Sequence, residues 1–377
     1  MANPVPSVDG VDLRDRPDGE ALPARAFRSA ALFEAELEHV FEKSWVHVAD
    51  LPELLQPGDY VAARIGRVPV LVVRGHDGVL RGFLNACRHR GASIAEGAGN
   101  CGQTLRCPYH AWSYRTDGTL AGVPYREEFD CRADGRGLVE VRVATAGPMV
   151  FGCLDAAAPP FEAWAGQLTR ALDAVSAAQM KPAFGFTYDV PVNWKLYVEN
   201  GLDGYHIPFV HDVLADLVAP AGGGAENVLE AHASYTLAPV SPALAQMVTA
   251  GGGPADACIR FGLVFPNLIP VITPGDVSYL RVDPVAPDRI RLVARSFDPD
   301  DERARALRGF REQSFDRTNQ QDIGVVSRVQ AGLPASARQP PGLHGRQLEV
   351  RIGHFERLLL AALRRGAGEL VELRRTA

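Results

Sequence analysis

The spacing of apolar residues divides the chain into a helical start, a β-rich first half and a mixed second half. Residues 1–28 lack periodicity and are rich in Pro, Asp and Arg, which predicts an extended arm suited to subunit contact. Residues 29–43 carry apolar positions at helical spacing, so a helix capped by Ser29 is predicted there. After residue 43 the period shortens, and β-rich runs follow at residues 44–48, 59–65, 68–74, 79–85, 138–143 and 149–154.

Turn signals between these runs, such as Pro57-Gly58 and Asp117-Gly118, are typical of antiparallel hairpins. Residues 43–155 are therefore predicted to form a small antiparallel β domain. In the second half, helical patterns at residues 161–175, 193–211 and 347–364 mix with strand patterns at residues 184–190, 277–282 and 289–297. A length of 377 residues favours two domains, and this mixture supports an α+β fold for the second.

Composition and charge exclude several classes of partner. The formal net charge is −6, and a protein that binds nucleic acid should instead be basic. No apolar run is long enough to span a bilayer, so no membrane partner is expected. The first ten residues lack the basic and apolar regions of a secretory signal, which favours a cytoplasmic protein.

Two Cys-His pairs form the first candidate metal site. Cys87 and His89 have the pattern C-x-H, and Cys107 and His110 have the pattern C-x-x-H. Two thiolates and two imidazoles suit either tetrahedral zinc or a Rieske [2Fe-2S] centre. Zinc patterns usually place both Cys together, whereas here each pair has one Cys and one His. This arrangement favours the iron–sulfur cluster, with zinc as the competing interpretation.

A second candidate metal site lies within residues 193–211. His206 and His211 are five residues apart, a rotation of about 140° on a regular helix, so a regular helix would not direct both at one metal. Pro208 lies between them and is expected to loosen the helix, which would let the imidazoles converge. Two His and one carboxylate form the facial triad of mononuclear Fe(II) oxygenases. The competing interpretation is two ordinary His near a helix end.

The two motifs together resemble the Rieske non-haem iron oxygenase α subunits. The second motif of that family reads N-W-K-x-x-x-E-N-x-x-D-x-Y-H-x-x-x-x-H, and this chain matches it from Asn193 to His211. The resemblance covers nearly the whole chain from about residue 30. It implies an N-terminal arm and helix over residues 1–42, a Rieske domain over residues 43–155 and a catalytic domain over residues 156–377. The catalytic domain would be of helix-grip type, with a curved antiparallel sheet and a long C-terminal helix.

The resemblance also implies roles for three further residues. Asp322 would be the third iron ligand, because a late Asp precedes a Q-x-G-L segment in the family; Asp316 is the rival on the same helix. The match is partial, since Gln321 stands where the family often has an acid. Asp203 would link an iron-ligand His to a Rieske His of a neighbouring subunit, and Asn200 would lie near the iron.

The function implied is that of a terminal oxygenase. It would use O₂, a Rieske cluster and mononuclear Fe(II) to hydroxylate or oxidatively demethylate a small hydrophobic substrate, and an aromatic substrate is the first expectation. Electrons would come from a ferredoxin, a flavin reductase or both, with NAD(P)H acting only indirectly, and the assembly would be a homotrimer. Quaternary amines or other natural products are the alternative substrates. The non-enzyme alternatives are a Rieske electron-transfer protein and a zinc-stabilised binding module.

One compositional feature bears on the substrate. A quaternary ammonium group favours a cage of aromatic side chains. The aromatic residues expected to be available to such a cage include no Trp, which disfavours it: they are Tyr235, Phe261, Phe265, Tyr279 and Phe297.

Overall fold

The computed structural model describes residues 6–133, 135–218, 224–250 and 256–376. The chain forms two compact units. The smaller unit is Phe41–Phe161, and the larger combines the described parts of Met1–Val40 and Glu162–Ala377. Within the described residues, no helix is both long and apolar enough to cross a membrane.

The N-terminal segment packs on the larger unit. It contains the short strands β1 (Ser7–Val8) and β2 (Val11–Asp12) and the helix α1 (Ala30–Glu36), which continues as a π-helical turn. The Ser29 hydroxyl accepts a hydrogen bond from Leu32 N at 3.0 Å, so the predicted cap is confirmed. Residues 6–28 hydrogen-bond to distant parts of the larger unit, for example from Leu22 N to Glu356 Oε1 at 2.9 Å, and their contact with another subunit stays a prediction.

The smaller unit is built from antiparallel strands. They are β3 (Val46–Asp50), β4 (Asp59–Ile65), β5 (Val68–Arg74), β6 (Leu80–Leu84), β7 (Ala98–Asn100), β8 (Thr104–Arg106), β9 (Ser113–Arg115), β10 (Leu120–Gly122), β11 (Glu140–Ala146) and β12 (Met149–Cys153). One sheet has the order β3-β12-β11-β6-β5-β4-β7, and a second has the order β10-β9-β8. The predicted antiparallel β domain of residues 43–155 falls within this unit.

The larger unit contains a curled antiparallel sheet. Its strands are β13 (Lys181–Val190), β14 (Glu226–Leu229), β15 (Ala233–Pro239), β16 (Cys258–Val264), β17 (Leu268–Ile272), β18 (Val277–Ala286) and β19 (Arg289–Asp298). Their order is β13-β19-β18-β17-β16-β15-β14, so five of the six pairs join strands that are consecutive along the chain. The predicted α+β fold of helix-grip type is therefore confirmed.

Eight helices accompany the described part of this sheet. They are α2 (Phe161–Ala165), α3 (Leu168–Ala174), α4 (Trp194–Leu202), α5 (Ile207–Val210), α6 (Asp212–Leu217), α7 (Pro242–Ala250), α8 (Glu302–Ser336) and α9 (Val350–Thr376). The single helix predicted for residues 161–175 is wrong, because Gly166 has φ +58° and separates α2 from α3. The predicted C-terminal helix is longer than expected and ends at Thr376 rather than at residue 364.

A buried ion pair anchors α4, the helix that leads to the candidate iron site. Lys195 Nζ lies 2.7 Å from Glu36 Oε1, and the two side chains are 1% and 0% exposed. The indole Nε1 of Trp194 donates to the other carboxylate oxygen of Glu36 at 2.7 Å. Removing one member of such a pair leaves an uncompensated buried charge, which is strongly destabilising.

We therefore expect Lys195→Met to lower the free energy of unfolding by about 3–5 kcal/mol, because Glu36 loses its counter-charge. Urea unfolding followed by circular dichroism measures this loss. Lys181→Met is the matched control, since Lys181 is 68% exposed and lies 3.5 Å from Asp300; it should cost at most about 1 kcal/mol. Equal losses in the two variants would show that the buried pair does not anchor α4.

Candidate metal centres

Two loops of the smaller unit present the four predicted cluster ligands, and the loops have the same backbone geometry. In the first, Gly91 N donates to Cys87 O at 2.8 Å; in the second, Ala111 N donates to Cys107 O at 3.1 Å. Gly91 and Ala111 both have positive φ, at +75° and +58°. Glycine adopts this conformation freely, whereas alanine adopts it at a cost that its surroundings must offset. The Cys and His residues therefore lie on matched turns.

The two imidazoles of these loops are neighbours. The rings of His89 and His110 have centroids 4.7 Å apart, and His89 stacks on Trp112 at 5.2 Å. Nδ1 of His89 is buried and has no hydrogen-bond partner among the residues described. A buried nitrogen without a partner is unfavourable unless a further group binds it, and a metal ion would do so.

The thiols are held in an apolar setting. Cys87 and Cys107 are 4% and 2% exposed and belong to one core cluster with Trp112 and Tyr114. The Tyr114 hydroxyl lies 3.2 Å from Cys87 Sγ and accepts from Arg88 N at 2.9 Å. Burial raises the pKa of the Cys87 thiol, so a metal cation is the natural means of stabilising its thiolate.

The segment that carries His206 and His211 differs from the predicted helix. Helix α4 ends at Leu202, and Asp203 is extended, with φ −85° and ψ 112°. Pro208 lies in the first turn of α5, a position that needs no backbone N–H and tolerates proline. The prediction that Pro208 loosens a continuous helix is therefore wrong. The break lies further upstream, and a single short turn separates the two His.

This geometry brings three donor atoms together. His206 Nε2 lies 3.0 Å from His211 Nε2. Asp322 Oδ1 lies 3.4 Å from the first nitrogen and 3.2 Å from the second. Ligands about 2.1 Å from a metal and at right angles to one another are about 3.0 Å apart. The spacing of these three atoms therefore fits one face of a metal coordination sphere.

Other side chains orient the imidazoles. His211 Nδ1 lies 3.0 Å from Gln321 Oε1, and His206 Nδ1 lies 3.2 Å from Asp203 Oδ2. Gln321 favours a proton on Nδ1 of His211 and so leaves its Nε2 free for a metal. The Asp203 carboxylate lies beside Nδ1 of His206 as an ion-pair partner, without hydrogen-bond geometry. Sequence reasoning missed Gln321. Its only signal was the departure from the acid that often precedes the late Asp in the family.

The carboxylate of Asp322 is fixed by neighbours as well. Asn200 Nδ2 donates to Asp322 Oδ1 at 2.8 Å, so the structure places Asn200 beside the candidate ligand. Burial alone would raise the pKa of Asp322, but hydrogen bonds from His206 and His211 hold it below its ordinary value. Burial likewise disfavours the charged form of His206, yet Asp203 and Asp322 raise its pKa to about 9. The site is therefore electrostatically prepared for a cation.

The rival carboxylate has a different partner. Asp316 Oδ1 accepts a hydrogen bond from the Tyr188 hydroxyl at 2.6 Å. The ligand atoms of His206, His211 and Asp322 all lie within 4.8 Å of one another, and Asp316 is not part of this group. The structure thus brings Asp322, rather than Asp316, to the two His.

The three donor atoms open onto a cavity of about 1380 Å³ within the larger unit. Its apolar wall includes Ile207, Leu214, Val248, Ile259 and Val271, which belong to or pack on one core cluster. The aromatic residues on its wall are Phe184, Phe261, Phe310 and Phe315.

Most of the five aromatic residues that the sequence offered for a cage do not line this cavity. Of those five, Phe261 alone lines the cavity. The other four are buried in the core, at 1% or 2% exposure: Tyr235, Phe265, Tyr279 and Phe297. Tyr235, Tyr279 and Phe297 lie on strands, in which successive side chains face opposite sides, and their neighbours Thr236, Ser278 and Ser296 line the cavity instead.

Two protein families match this chain. The Rieske [2Fe-2S] domain matches residues 44–141, and the ring hydroxylating alpha subunit (catalytic domain) matches residues 178–364. The chain belongs to the Rieske ring-hydroxylating α subunits.

Curated relatives of this Rieske α subunit include enzymes of two kinds. The carnitine monooxygenase oxygenase subunit of Acinetobacter pittii is 35% identical over 52% of this chain and 54% of the relative. The anthranilate 1,2-dioxygenase large subunit of Acinetobacter baylyi is 36% identical over 53% of this chain and 44% of the relative. The chain thus spans about half the length of these curated relatives.

Solved structures show the same fold. A quaternary ammonium Rieske monooxygenase matches with a TM-score of 0.81 and 23% identity, over 94% of this chain and all of that chain. Naphthalene 1,2-dioxygenase from Rhodococcus sp. matches with a TM-score of 0.71 and 22% identity, over 91% of this chain and 94% of that chain.

The residues of this Rieske α subunit fit both iron groups of the family. Two thiolates and two imidazoles would come to a Rieske cluster from Cys87, His89, Cys107 and His110, and the buried Nδ1 of His89 has no other partner among the described residues. Nε2 of His206, Nε2 of His211 and Oδ1 of Asp322 have the spacing of three ligands to one ion.

For the Rieske loops, we expect Tyr114→Phe to lower the midpoint potential of the cluster. The hydroxyl beside Cys87 Sγ is buried and protonated, because burial raises the pKa of Tyr114. A lost hydrogen bond of about 1 kcal/mol to a sulfur corresponds to about 40 mV for one electron. A redox titration followed by circular dichroism measures the shift. Tyr109→Phe is the control, since Tyr109 is 58% exposed; equal potentials in both variants would contradict this role of Tyr114.

For the iron site, we expect Asp322→Asn to lose mononuclear iron and retain the cluster, because the neutral amide removes the negative ligand. The ratio of iron to acid-labile sulfide should fall from about 3:2 to about 2:2. Elemental analysis with sulfide determination measures it. Asp316→Asn on the same helix is the matched control and should keep the higher ratio. The reverse result would make Asp316 the ligand.

Proposed function

We propose that this Rieske α subunit is a terminal oxygenase, which uses O₂ and externally supplied electrons to hydroxylate or oxidatively demethylate a small substrate with an apolar body. The observation that carries this proposal is the cluster of His206, His211 and Asp322 on the wall of a large apolar cavity. A Rieske electron-transfer protein needs no such site. A zinc-stabilised binding module would explain the Cys-His loops but not this second group of ligands.

The division of labour follows from the two groups of ligands. When bound, the cluster supplies one-electron transfer and the mononuclear iron supplies O₂ activation. The mononuclear iron would be held by His206, His211 and Asp322. Asn200 and Gln321 keep the donor atoms in place through hydrogen bonds to Asp322 and His211. Apolar walls exclude bulk water and hold the body of the substrate over the site.

Asp203 is proposed to connect the iron site with the cluster of a neighbouring subunit. Its Oδ2 lies 3.2 Å from Nδ1 of His206, which is one half of such a bridge. Its Oδ1 accepts from the backbone of Tyr205 and His206 at 2.6 and 3.3 Å and so fixes the turn. A carboxylate shared by two imidazoles on different subunits requires a head-to-tail ring, and a homotrimer is the proposed assembly.

Electrons are proposed to come from a ferredoxin, a flavin reductase or both, with NAD(P)H as the indirect source. His110 and Tyr109 are exposed at the edge of the candidate cluster site. Arg90 lies over the Tyr109 ring at 5.6 Å and gives this edge a positive charge. Such an edge suits brief docking of an acidic electron carrier.

Two substrate classes follow from the relatives, whose names include carnitine and glycine betaine as well as anthranilate and toluate. The cavity wall has four Phe and no Trp among the described lining residues. This wall suits an aromatic or otherwise apolar body, so ring hydroxylation is the first candidate and oxidative demethylation of a quaternary amine the second.

The proposal is tested by O₂ uptake with a surrogate reductase across a substrate panel, with product mass and labelled-oxygen incorporation. We expect Asp203→Asn to abolish most turnover while both irons stay bound. The amide keeps the acceptor for the turn but removes the charge that faces His206. Asp216→Asn, an exposed acid on α6, is the matched control and should remain active. Full turnover of the Asp203 variant would remove the bridge from the proposal, and no coupled O₂ uptake with any substrate would remove the oxygenase.

A further inference from the structure

A buried guanidinium lies on the wall of the same cavity, and no carboxylate of the described residues pairs with it. Arg351, in the first turn of α9, is 2% exposed and lines the cavity. It donates to Ser234 Oγ at 3.1 Å, to Thr236 Oγ1 at 3.2 Å and to Ser234 O at 3.3 Å. All three acceptors are neutral. A guanidinium has five N–H groups, so these bonds leave part of its donor capacity unused.

This cation is unlike the other well-shielded guanidinium of the cavity. Arg311 lies 2.9 Å from Asp298 Oδ2 and is compensated by that carboxylate. No carboxylate of the described residues forms an ion pair with Arg351, although exposed Glu226 lines the same cavity. Burial lowers the pKa of Arg351 to about 9, so the group is still cationic at neutral pH. A buried cation without an anion is unfavourable, and a bound anion would compensate it.

The surroundings of Arg351 form a polar corner. Thr236, which accepts from Arg351, donates in turn to Asn227 Oδ1 at 2.7 Å. Asn227 Nδ2 donates to the backbone oxygen of Gln347 at 3.0 Å. The cavity wall includes Arg351, Thr236, Asn227 and Gln347. Other parts of the same wall are apolar. The hydroxyl proton of Thr236 is already donated within the corner, so the donors left for one end of a molecule in the cavity include the unused N–H groups of Arg351.

The polar corner is tied to the iron site through the backbone. Gly204 N donates to Leu348 O at 2.9 Å, so the segment leading into α9 is fixed beside the turn that carries His206. Leu348 and His206 line the same cavity. A molecule held at one end by Arg351 therefore shares its cavity with the three candidate iron ligands.

We propose that Arg351 binds a carboxylate of the substrate, so that this oxygenase acts on small organic acids whose apolar body extends toward His206, His211 and Asp322. This proposal rests on the oxygenase function proposed above and adds the chemical class of its substrate. The guanidinium fork matches the two oxygens of a carboxylate, and Thr236 positions the fork by accepting a hydrogen bond from it. Arg351 is in this view a specificity residue, remote from the reacting carbon.

The test compares acids with neutral analogues of the same shape. Dissociation constants are measured by calorimetry on the full-length, iron-loaded protein without reductant and without O₂. The pairs are benzoate with benzamide, 4-methylbenzoate with 4-methylbenzamide, and carnitine with its methyl ester. We expect at least one acid to bind about tenfold to a hundredfold more tightly than its neutral partner. Arg351→Gln should abolish this preference, and Arg351→Lys should retain part of it.

Two further variants separate binding from folding. Arg357→Gln on the same helix is the matched control, because its side chain is 44% exposed, and it should keep the preference for acids. Thr236→Val is nearly isosteric and removes a hydrogen-bond acceptor that positions Arg351. It should therefore weaken the binding of acids severalfold and leave the binding of their neutral partners unchanged. This variant tests the proposal if Arg351→Gln fails to fold. The proposal is overturned if no acid of the panel binds, if the wild-type protein binds acids and neutral partners alike, or if Arg351→Gln folds and still prefers acids.

The two proposals fail in different ways. If acids bind through Arg351 but no substrate gives coupled O₂ uptake, the carboxylate site stands and the oxygenase function falls. If turnover occurs only with neutral substrates and Arg351→Gln turns them over normally, the oxygenase stands and the carboxylate site falls.

Discussion

The candidate iron site depends on one buried carboxylate that meets two imidazoles from a distant part of the chain. Asp322 is 7% exposed, and burying such a charge alone costs several kcal/mol. Here the cost is offset by Asn200, which donates to the same oxygen that faces His206 and His211. The contacts that pack α8 against α4 therefore also compensate the Asp322 charge, and a bound cation would compensate it further.

The predictable part of this architecture is the part that short stretches of sequence determine. Each cluster loop places its Cys and His within a few residues and closes its own backbone hydrogen bond, as between Gly91 and Cys87. Strands such as β4 and β5 begin and end at the predicted residues. Their ends are predictable because turn residues directly flank the β-rich runs in the sequence. The family motifs then indicated both iron groups without any knowledge of tertiary structure.

The remaining features depend on contacts that no local pattern contains. Pro208 was expected to break a helix, but the break comes earlier because the Asp203 carboxylate caps the following turn. Gln321 reaches His211 across 110 residues, and its neighbour Asp322 shares a buried face of α8 with Val326. That spacing is a usable signal for Asp322, because residues four apart lie on one helix face. Nothing comparable in the sequence distinguishes Arg351 from the many surface arginines.

The run from Asn193 to His211 combines two physical tasks that its sequence pattern does not separate. Trp194 and Lys195 both bind Glu36, so the first part of the run fixes the start of α4 in the core. Asn200 and the residues after it face the cavity and the iron ligands. A change at Lys195 would therefore act on the site through the position of α4, whereas a change at Asn200 would act on the Asp322 carboxylate directly. Resemblance to a motif thus identifies the functional segment, whereas the hydrogen bonds of each residue show whether it anchors the helix or contacts the candidate iron ligands.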